Sequence, residues 1–402
     1  MSGSIQKRGK DKYLLTVSSG TDVDGKRIRH TKTIKAKSDR ELEKALALFV
    51  SDVERGVISN KNKITFGEFG EKWLTEYAEK RLAIKTVHEY KSLFKEIKES
   101  LGKLRVAELK PYHLTNFYNK LRTREIKSRS LKKENTEEKR YLSESSIAHY
   151  HRLIAAILET ARKEYEIITE NPARKLQQPP RERNKPMPHY GNAEDSIAFL
   201  NALSSESLNY KLMFMLLMLA GLRIGEVLGL EWKDINWDKA ELSVCRTSAY
   251  TPSKGVYTAT PKTEKSNRKI LIPKQIVDLL KEHKTVQDSD KAKLNDSWQD
   301  TDRLFTQWNG KPIHPTTPRH WLQKFIKKHK LPKIVPHGLR HTHASLLIAN
   351  HVDWATVSER LGHANKSTTM NTYAHMIEGK EKAAVEKLEQ IFFSETNSEK
   401  NT

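Results

Sequence analysis

The sequence holds a single cysteine, Cys245, in 402 residues. That excludes an intramolecular disulfide and any cysteine-based zinc site, and it fits a reducing compartment. Long apolar runs are missing as well. The longest, Leu212 to Leu222, falls far short of the ~20 residues a helix needs to cross a bilayer. The N-terminal MSGSIQKRGKDKY lacks the apolar stretch of a secretion signal. The expectation is a soluble cytoplasmic protein with no membrane partner. There is no GxSxG elbow for a serine hydrolase, no phosphate-cradling GxxxxGK[ST] and no HExxH zinc helix. Negative charge is also scarce: 50 Asp and Glu stand against 72 Lys and Arg, a formal net charge of +22. A compact monomer with that excess repels itself unless a counter-charge is at hand. A polyanion is therefore the expected partner, nucleic acid ahead of an acidic membrane.

What is present falls into segments. Residues 1–60 read as a small β-rich unit: Ser4 to Lys10, Tyr13 to Ser19 and Lys26 to Ala36 are short runs of β-branched and aromatic residues separated by Gly- and Asp-rich turns. Ser38 and Glu41 are spaced as a capping box, opening a helix with Leu42, Ala45, Leu46 and Phe49 on one face. Lys7, Arg8, Lys12, Arg27, Arg29 and Lys32 sit on the strands, and a β-ribbon fits a DNA major groove. Residues 64–177 read as all-helical. Phe66, Phe69, Trp73 and Tyr77 recur at helical spacing, as do Val87, Tyr90, Phe94 and Ile97, while Leu109 to Leu121 and Ser145 to Tyr165 supply two more amphipathic helices. The aromatic stripe is expected in the core rather than as a base-stacking platform. Arg122 to Arg140 reads as a basic loop, and the proline-rich residues 178–190 as a linker.

Residues 191–379 carry the strongest organisation. Helices around Asn192 to Leu203 and Asn209 to Ala220 lead to a third near Arg223, a β region runs from Ile235 to Pro273, and the remainder is helical. The fold class expected is α+β, mostly α and multidomain, in three parts: a small β-sheet-plus-helix domain, a helical domain, and an α-rich domain with a small antiparallel sheet. A tail, residues 380–402, places Ala384, Leu388 and Ile391 on one helical face with Phe392 beside it.

Four short patterns in the third segment could carry chemistry. Gly221-Leu222-Arg223-Ile224-Gly225-Glu226 puts an arginine straight after the apolar helix, where it must pair with Glu226 or face an anion. Pro261-Lys262-Thr263 precedes the strand Arg268 to Pro273. Pro336-His337-Gly338-Leu339-Arg340-His341-Thr342-His343 starts a helix with His337 and Arg340 on one face. Leu361-Gly362-His363 ends the helix Trp354 to Leu361, and Tyr373 follows ten residues on. His337, His341 and His343 crowd together without a carboxylate, so no metal is expected. Two guanidiniums can hold the nonbridging oxygens of a phosphodiester, a tyrosine can attack its phosphorus, a lysine can protonate the departing oxygen and a histidine can move the phenol proton.

The order Arg, Lys, His-x-x-Arg, His, Tyr, in AGLRIGE, PKT, HGLRHTHAS, LGH and TTMNTYAH, closely resembles the tyrosine recombinases, the integrases of phages and mobile elements. None of the six positions departs from the family's residue. The resemblance implies that Arg223, Arg340 and His363 clamp the phosphate, Lys262 is the general acid for the 5′ oxygen, His337 assists proton transfer and Tyr373 forms a 3′-phosphotyrosyl bond. Lys262 is preferred over the nearby Lys254, Lys265 and Lys269 for its PKT context. His341 and His343 are expected to pack within the helices, and Glu226 to buttress Arg223. The layout of the first 180 residues resembles the family's arm-binding and core-binding domains. The resemblance further implies a homotetramer on double-stranded DNA with core and arm sites, a Holliday-junction intermediate, no metal or nucleotide cofactor, excision or host architectural partners, and a tail that docks on a neighbouring subunit. The rival readings are a type IB topoisomerase, which would not carry the small basic N-terminal domain, and a DNA-binding regulator without catalysis.

Overall fold

The computed structural model describes residues 3–21, 25–54, 63–126, 140–179, 188–260, 266–363 and 365–373, with 385, 388 and 389. The chain is α+β, mostly helical and multidomain, with small antiparallel sheets. It divides into two compact units, Met1–Asn184 and Lys185–Thr402.

The first unit opens with strands β1 (Gly3–Gly9), β2 (Lys12–Thr21) and β3 (Arg27–Lys35), an antiparallel meander in the order β1-β2-β3. Alternation along β2 buries Leu15 and Val17, and helix α1 (Asp39–Glu54) lays Leu42, Phe49 and Val53 on them. The Ser38 hydroxyl accepts from the Glu41 backbone N–H at 3.3 Å. The Glu41 carboxylate, however, accepts from the N–H of Lys37 at 2.9 Å, so the expected box closes one residue upstream.

The helical part of this unit begins where Thr65 and Glu68 cap α2 (Phe66–Trp73) reciprocally. The helix runs on through a π-type stretch, Leu74–Ala78, to Arg81. Helices α3 (Ile84–Leu101), α4 (Pro111–Thr123) and α5 (Glu144–Lys163) complete it. Phe66, Phe69 and Trp73 are buried in one core with Phe94, Ile97, Leu114, Ile154 and Leu158. The burial of each large side chain stabilises the fold by roughly 1.5–3 kcal/mol. The Trp73 indole donates to Thr160 Oγ1 at 2.8 Å, so its polar edge is satisfied in the core. Gly70 is required by packing: a Cβ there would stand 2.1 Å from the Phe94 ring. Of the expected basic loop, residues 127–139 lie outside the described residues. Its base is closed by Arg122, which donates to both Glu144 oxygens at 2.6 and 2.9 Å.

The second unit is built round α7 (Leu208–Leu219), the apolar run of the sequence. Leu212, Met213, Phe214, Leu216 and Leu217 are fully buried, the burial expected of a helix hydrophobic on every side. Helix α6 (Ala193–Leu203), capped by Asn192, packs on it. Past α7 the chain forms only one helical turn, α8 (Ile224–Val227), rather than a longer third helix. A Cβ on Gly229 would lie 3.1 Å from the Arg246 carbonyl oxygen, so the backbone turns there against the following hairpin. The β region contains two sheets: β4 (Ile235–Asn236), β5 (Glu241–Val244) and β8 (Arg268–Leu271) in the order β4-β5-β8, and the hairpin β6 (Thr247–Thr251) with β7 (Gly255–Ala259). Helices α9 (Lys274–Leu294), α10 (Thr317–His329), α11 (Pro336–Ala349), α12 (Trp354–Leu361) and α13 (Lys366–Tyr373) follow. Pro336 occupies the first turn of α11, where a missing N–H costs nothing. No helix among the described residues is long and apolar enough to cross a membrane.

Candidate active site

The site begins where α7 ends. Gly221 takes φ +64, a left-handed turn that suits glycine, and leads into Arg223 at the N-cap of α8. Three residues on, Glu226 is almost fully buried. Its Oε2 accepts from the Arg223 backbone N–H at 2.9 Å and its Oε1 from Arg223 Nη1 at 2.7 Å. Arg268, from the start of β8, donates to the same two oxygens at 3.2 and 2.8 Å. Burial alone would raise the Glu226 carboxyl, but the hydrogen bond and charge of Arg268, then Arg223, outweigh it and hold the group at about 2.

Arg340 projects from the second turn of α11 and is 2% exposed. It donates through Nη1 to the Gly221 carbonyl at 2.7 Å and through Nη2 to the Leu361 carbonyl at 2.6 Å. It thus ties the ends of α7 and α12 together. Burial, then the neighbouring Arg223, lowers its guanidinium to about 9, with Glu226 opposing. Three guanidiniums around one buried carboxylate leave uncompensated positive charge in a partly buried site, and an anion there relieves the repulsion.

Gly362 ends α12 in the left-handed conformation, at φ 64 and ψ 47. His363 follows, with Nδ1 2.6 Å from the hydroxyl of buried Thr369 on α13. Burial, then Arg340 and Arg223, lowers His363 to about 4. His337 is lowered in the same way, by burial, Arg340 and Arg223. Tyr373 is the last residue of α13 and is 3% exposed, packed with Ala344, Ile348, Val357 and Leu361. Burial pushes its phenol above the ordinary range, and Arg340 opposes the shift.

Arg223, His337, Arg340, His363 and Tyr373 therefore cluster in the second unit, within electrostatic reach of one another through Arg340. Lys262 and Lys265 lie outside the described residues. Lys269 is turned away, ion-paired to Glu241 at 3.4 Å and exposed. Lys254 sits in the β6–β7 turn, where its N–H donates to the Thr251 carbonyl. Of the three clustered histidines, His337 and His341 meet edge to face, while His343 bonds elsewhere. His343 is 2.9 Å from the Met218 carbonyl through Nδ1 and accepts from Arg360 Nε at 3.2 Å. His341 departs from the packing role expected of it: its Nδ1 is 2.6 Å from the Tyr373 hydroxyl.

Arg268 was missed by pattern reading. A signal exists, because Arg268 shares a strand face with buried Ile270. A charge at an inward strand position needs a buried partner, and here the partner is Glu226.

The six basic residues expected to contact DNA in the N-terminal sheet are divided between its faces. Cross-strand partners share a face. Lys32 pairs with Leu15 and Lys7 with Tyr13, which puts both on the side of α1. Lys32 Nζ stands 6.0 Å from the centre of the Phe49 ring. Lys12 pairs with Lys35 and Arg29 with Ser18, on the opposite, open face. Arg8 sits at the irregularity between Lys7 and Gly9, and Arg27 pairs with Thr21. Of the tail, only residues 385, 388 and 389 are described, and Leu388 is exposed.

A tyrosine hydroxyl set beside clustered arginines and histidines is the equipment of a phosphoryl-transfer enzyme that forms a covalent intermediate. Residues 192–379 match the phage integrase family, and residues 65–122 match its N-terminal SAM-like domain. A XerC-like tyrosine recombinase of Caldanaerobacter subterraneus is 29% identical over 96% of this chain and 98% of its own length. The ICEBs1 integrase of Bacillus subtilis is 30% identical over 62% of this chain and 67% of its own. The Tn1549 transposon integrase, solved with circular-intermediate DNA, shares the fold at TM-score 0.64 and 20% identity, covering 81% of this chain and all of that one (100%). A lambda integrase dimer bound to a core site covers 92% of this chain and 93% of its own, at TM-score 0.51 and 14% identity. The chain belongs to the phage integrase family of tyrosine recombinases, the enzymes of site-specific DNA strand exchange.

Proposed function

We propose that this recombinase cleaves and rejoins DNA through Tyr373 to integrate and excise the prophage or conjugative transposon that carries it. The observation that carries the reading is the Tyr373 hydroxyl, buried and clustered with Arg223, His337, Arg340 and His363. Tyr373 Oη attacks the scissile phosphorus, a 3′-phosphotyrosyl bond forms and the 5′ oxygen departs. Arg223, Arg340 and His363 hold the nonbridging oxygens and stabilise the charge that builds in the transition state. Lys262 protonates the departing oxygen, and His337 assists proton transfer. No metal or nucleotide enters these steps.

The domains divide the work. Residues 1–60 read arm sites through their basic strands, residues 64–177 hold the core site, residues 178–190 link them to the catalytic domain at 191–379, and the tail at 380–402 docks on a neighbouring subunit. Four subunits act together in the cytoplasm of a bacterial host, aided by excision or architectural proteins. Support for this comes from relatives named as integrases of mobile elements and from a lambda integrase tetramer on a Holliday junction, of the same fold at TM-score 0.50. The arginine cluster is intact, which weighs against a regulator without catalysis.

The test is a nicked suicide substrate, on which cleavage traps the covalent adduct. Tyr373→Phe binds the site as tightly as the native chain and yields no adduct, because only the attacking oxygen is gone. Adduct persisting in that variant would move the nucleophile elsewhere, with Tyr250 and Tyr257 next in line.

A further inference from the structure

A nucleophilic phenol must lose its proton as it attacks, and among the described residues a histidine stands at hydrogen-bond distance to receive it. Tyr373 Oη lies 2.6 Å from His341 Nδ1. His337, which the motif pattern marks for proton transfer, stands one turn earlier on α11 and meets His341 edge to face, ring centres 5.0 Å apart. We propose that His341 is a catalytic residue, the general base that takes the phenol proton of Tyr373 during strand cleavage and returns it during rejoining.

The inference rests on Tyr373 being the nucleophile. In cleavage the Oη–H bond breaks with its proton passing to His341 Nδ1, the Oη–P bond forms, and the P–O5′ bond breaks with the 5′ oxygen protonated by the general acid. Rejoining reverses each step: the 5′ hydroxyl attacks phosphorus and Tyr373 leaves, reclaiming the proton from His341.

The surroundings suit such a base. His341 is faced by Tyr373 from α13, His337 and Arg340 from its own helix, and His189 from the segment before α6, its ring centre 6.4 Å away; His363, after α12, couples to it electrostatically. Burial, then His337, His189 and Arg340, lowers the group to about 4. It is therefore an unprotonated acceptor throughout the neutral range, as a base must be. So weak a base does not ionise a resting phenol, and Tyr373 stays neutral until it attacks. The transfer becomes favourable as the Oη–P bond forms, since an esterified oxygen holds no proton. A phosphodiester anion in the clamp also offsets the Arg340 charge that helps depress His341.

The experiment is single-turnover adduct formation by the full chain on the nicked suicide substrate from pH 5.5 to 9, for the native chain, His341→Phe and His341→Asn. The asparagine oxygen replaces Nδ1 as a hydrogen-bond acceptor but takes up no proton. Core-site affinity and a thermal melt are measured alongside. The expected result is a nearly flat native profile. Both variants are slower on the order of a hundredfold or more at neutral pH, with rates that climb about tenfold per pH unit as hydroxide replaces the missing base. Native rates in either variant would overturn the proposal. So would a loss of constant size at every pH, which marks packing or orientation alone. If His341→Phe fails to fold, His341→Asn decides. Adduct formed by Tyr373→Phe would instead remove the nucleophile assignment, whatever the His341 variants do.

Discussion

Arg223 and Arg268 share the two carboxylate oxygens of Glu226, one arginine from the N-cap of a single helical turn and the other from the first position of a distant strand. Arg268 and Glu226 are each 7% exposed at the side chain, while Arg223 is 37% exposed. The buried pair therefore forms the footing, and Arg223 is the member left with access to a ligand. Arg268 also donates to the Arg360 carbonyl at 2.8 Å, which joins the footing to the end of α12 just before His363.

Removing the charge of Glu226 leaves Arg223, Arg268 and Arg340 repelling one another around a buried, uncompensated position. Glu226→Gln should lower stability by about 3 kcal/mol, a fall in Tm of roughly 10 °C for a unit of this size. The pH dependence has a definite sign. Held at about 2 against its ordinary 4.5, the carboxylate contributes stability that is full above pH 4.5 and lost as pH falls toward 2. Thermal melts between pH 3 and 7 should show the native chain losing stability on that acid limb and the variant losing less of it. Parallel acid limbs would mean that the pair contributes nothing to folding.

Arg223→Ala should slow cleavage of bound DNA on the order of a hundredfold or more while changing affinity little, because a guanidinium on a nonbridging oxygen counts most when charge builds in the transition state. Arg340 is a poorer probe. Its loss strands the Gly221 and Leu361 carbonyls that it satisfies, at a cost of about 1–3 kcal/mol each, so activity and folding fall together. Weakened binding with normal cleavage of the bound fraction would remove Arg223 from the clamp.

Pattern reading reached some features for clear physical reasons. The apolar run at Leu212 allowed only a buried helix, Pro336 placed the start of α11 and Gly362 the end of α12. The single turn at Ile224–Val227 was hidden, because the chain leaves it at Gly229 beside the backbone of Arg246 and Thr247, a neighbourhood that no local pattern records. Arg268 was hidden among the basic residues around it, with only its alternation with Ile270 to mark it as inward. His341 acquires its meaning from α13 bringing Tyr373 to it across 32 positions of sequence, a pairing that no local pattern records. The split of the basic strand residues between two faces depends on register, which the turns decide.

Truncation after Gly379 should impair recombination between two full sites far more than the binding of one core site. Leu388 is exposed, and an amphipathic segment following the nucleophile has little local core to join. Native recombination and native assembly on DNA by the truncated chain would show that the tail packs on its own subunit.

The N-terminal sheet offers the sharpest residue-level contrast. Arg29 and Lys12 stand on the face that α1 leaves open, whereas Lys32 is on the α1 side with its ammonium near the Phe49 ring. If the open face meets arm-site DNA, removing one cation from a phosphate lowers the slope of log affinity against log salt by about 0.9. Arg29→Ala and Lys12→Ala should therefore each flatten that slope for a full attachment site, while Lys32→Ala leaves it unchanged. Deleting residues 1–62 should abolish the distal footprint in nuclease protection and spare cleavage of an isolated core site, because the pocket around Tyr373 belongs wholly to the second unit. Equal slopes for all three substitutions, with the distal footprint surviving the deletion, would show that the sheet meets something other than arm-site DNA.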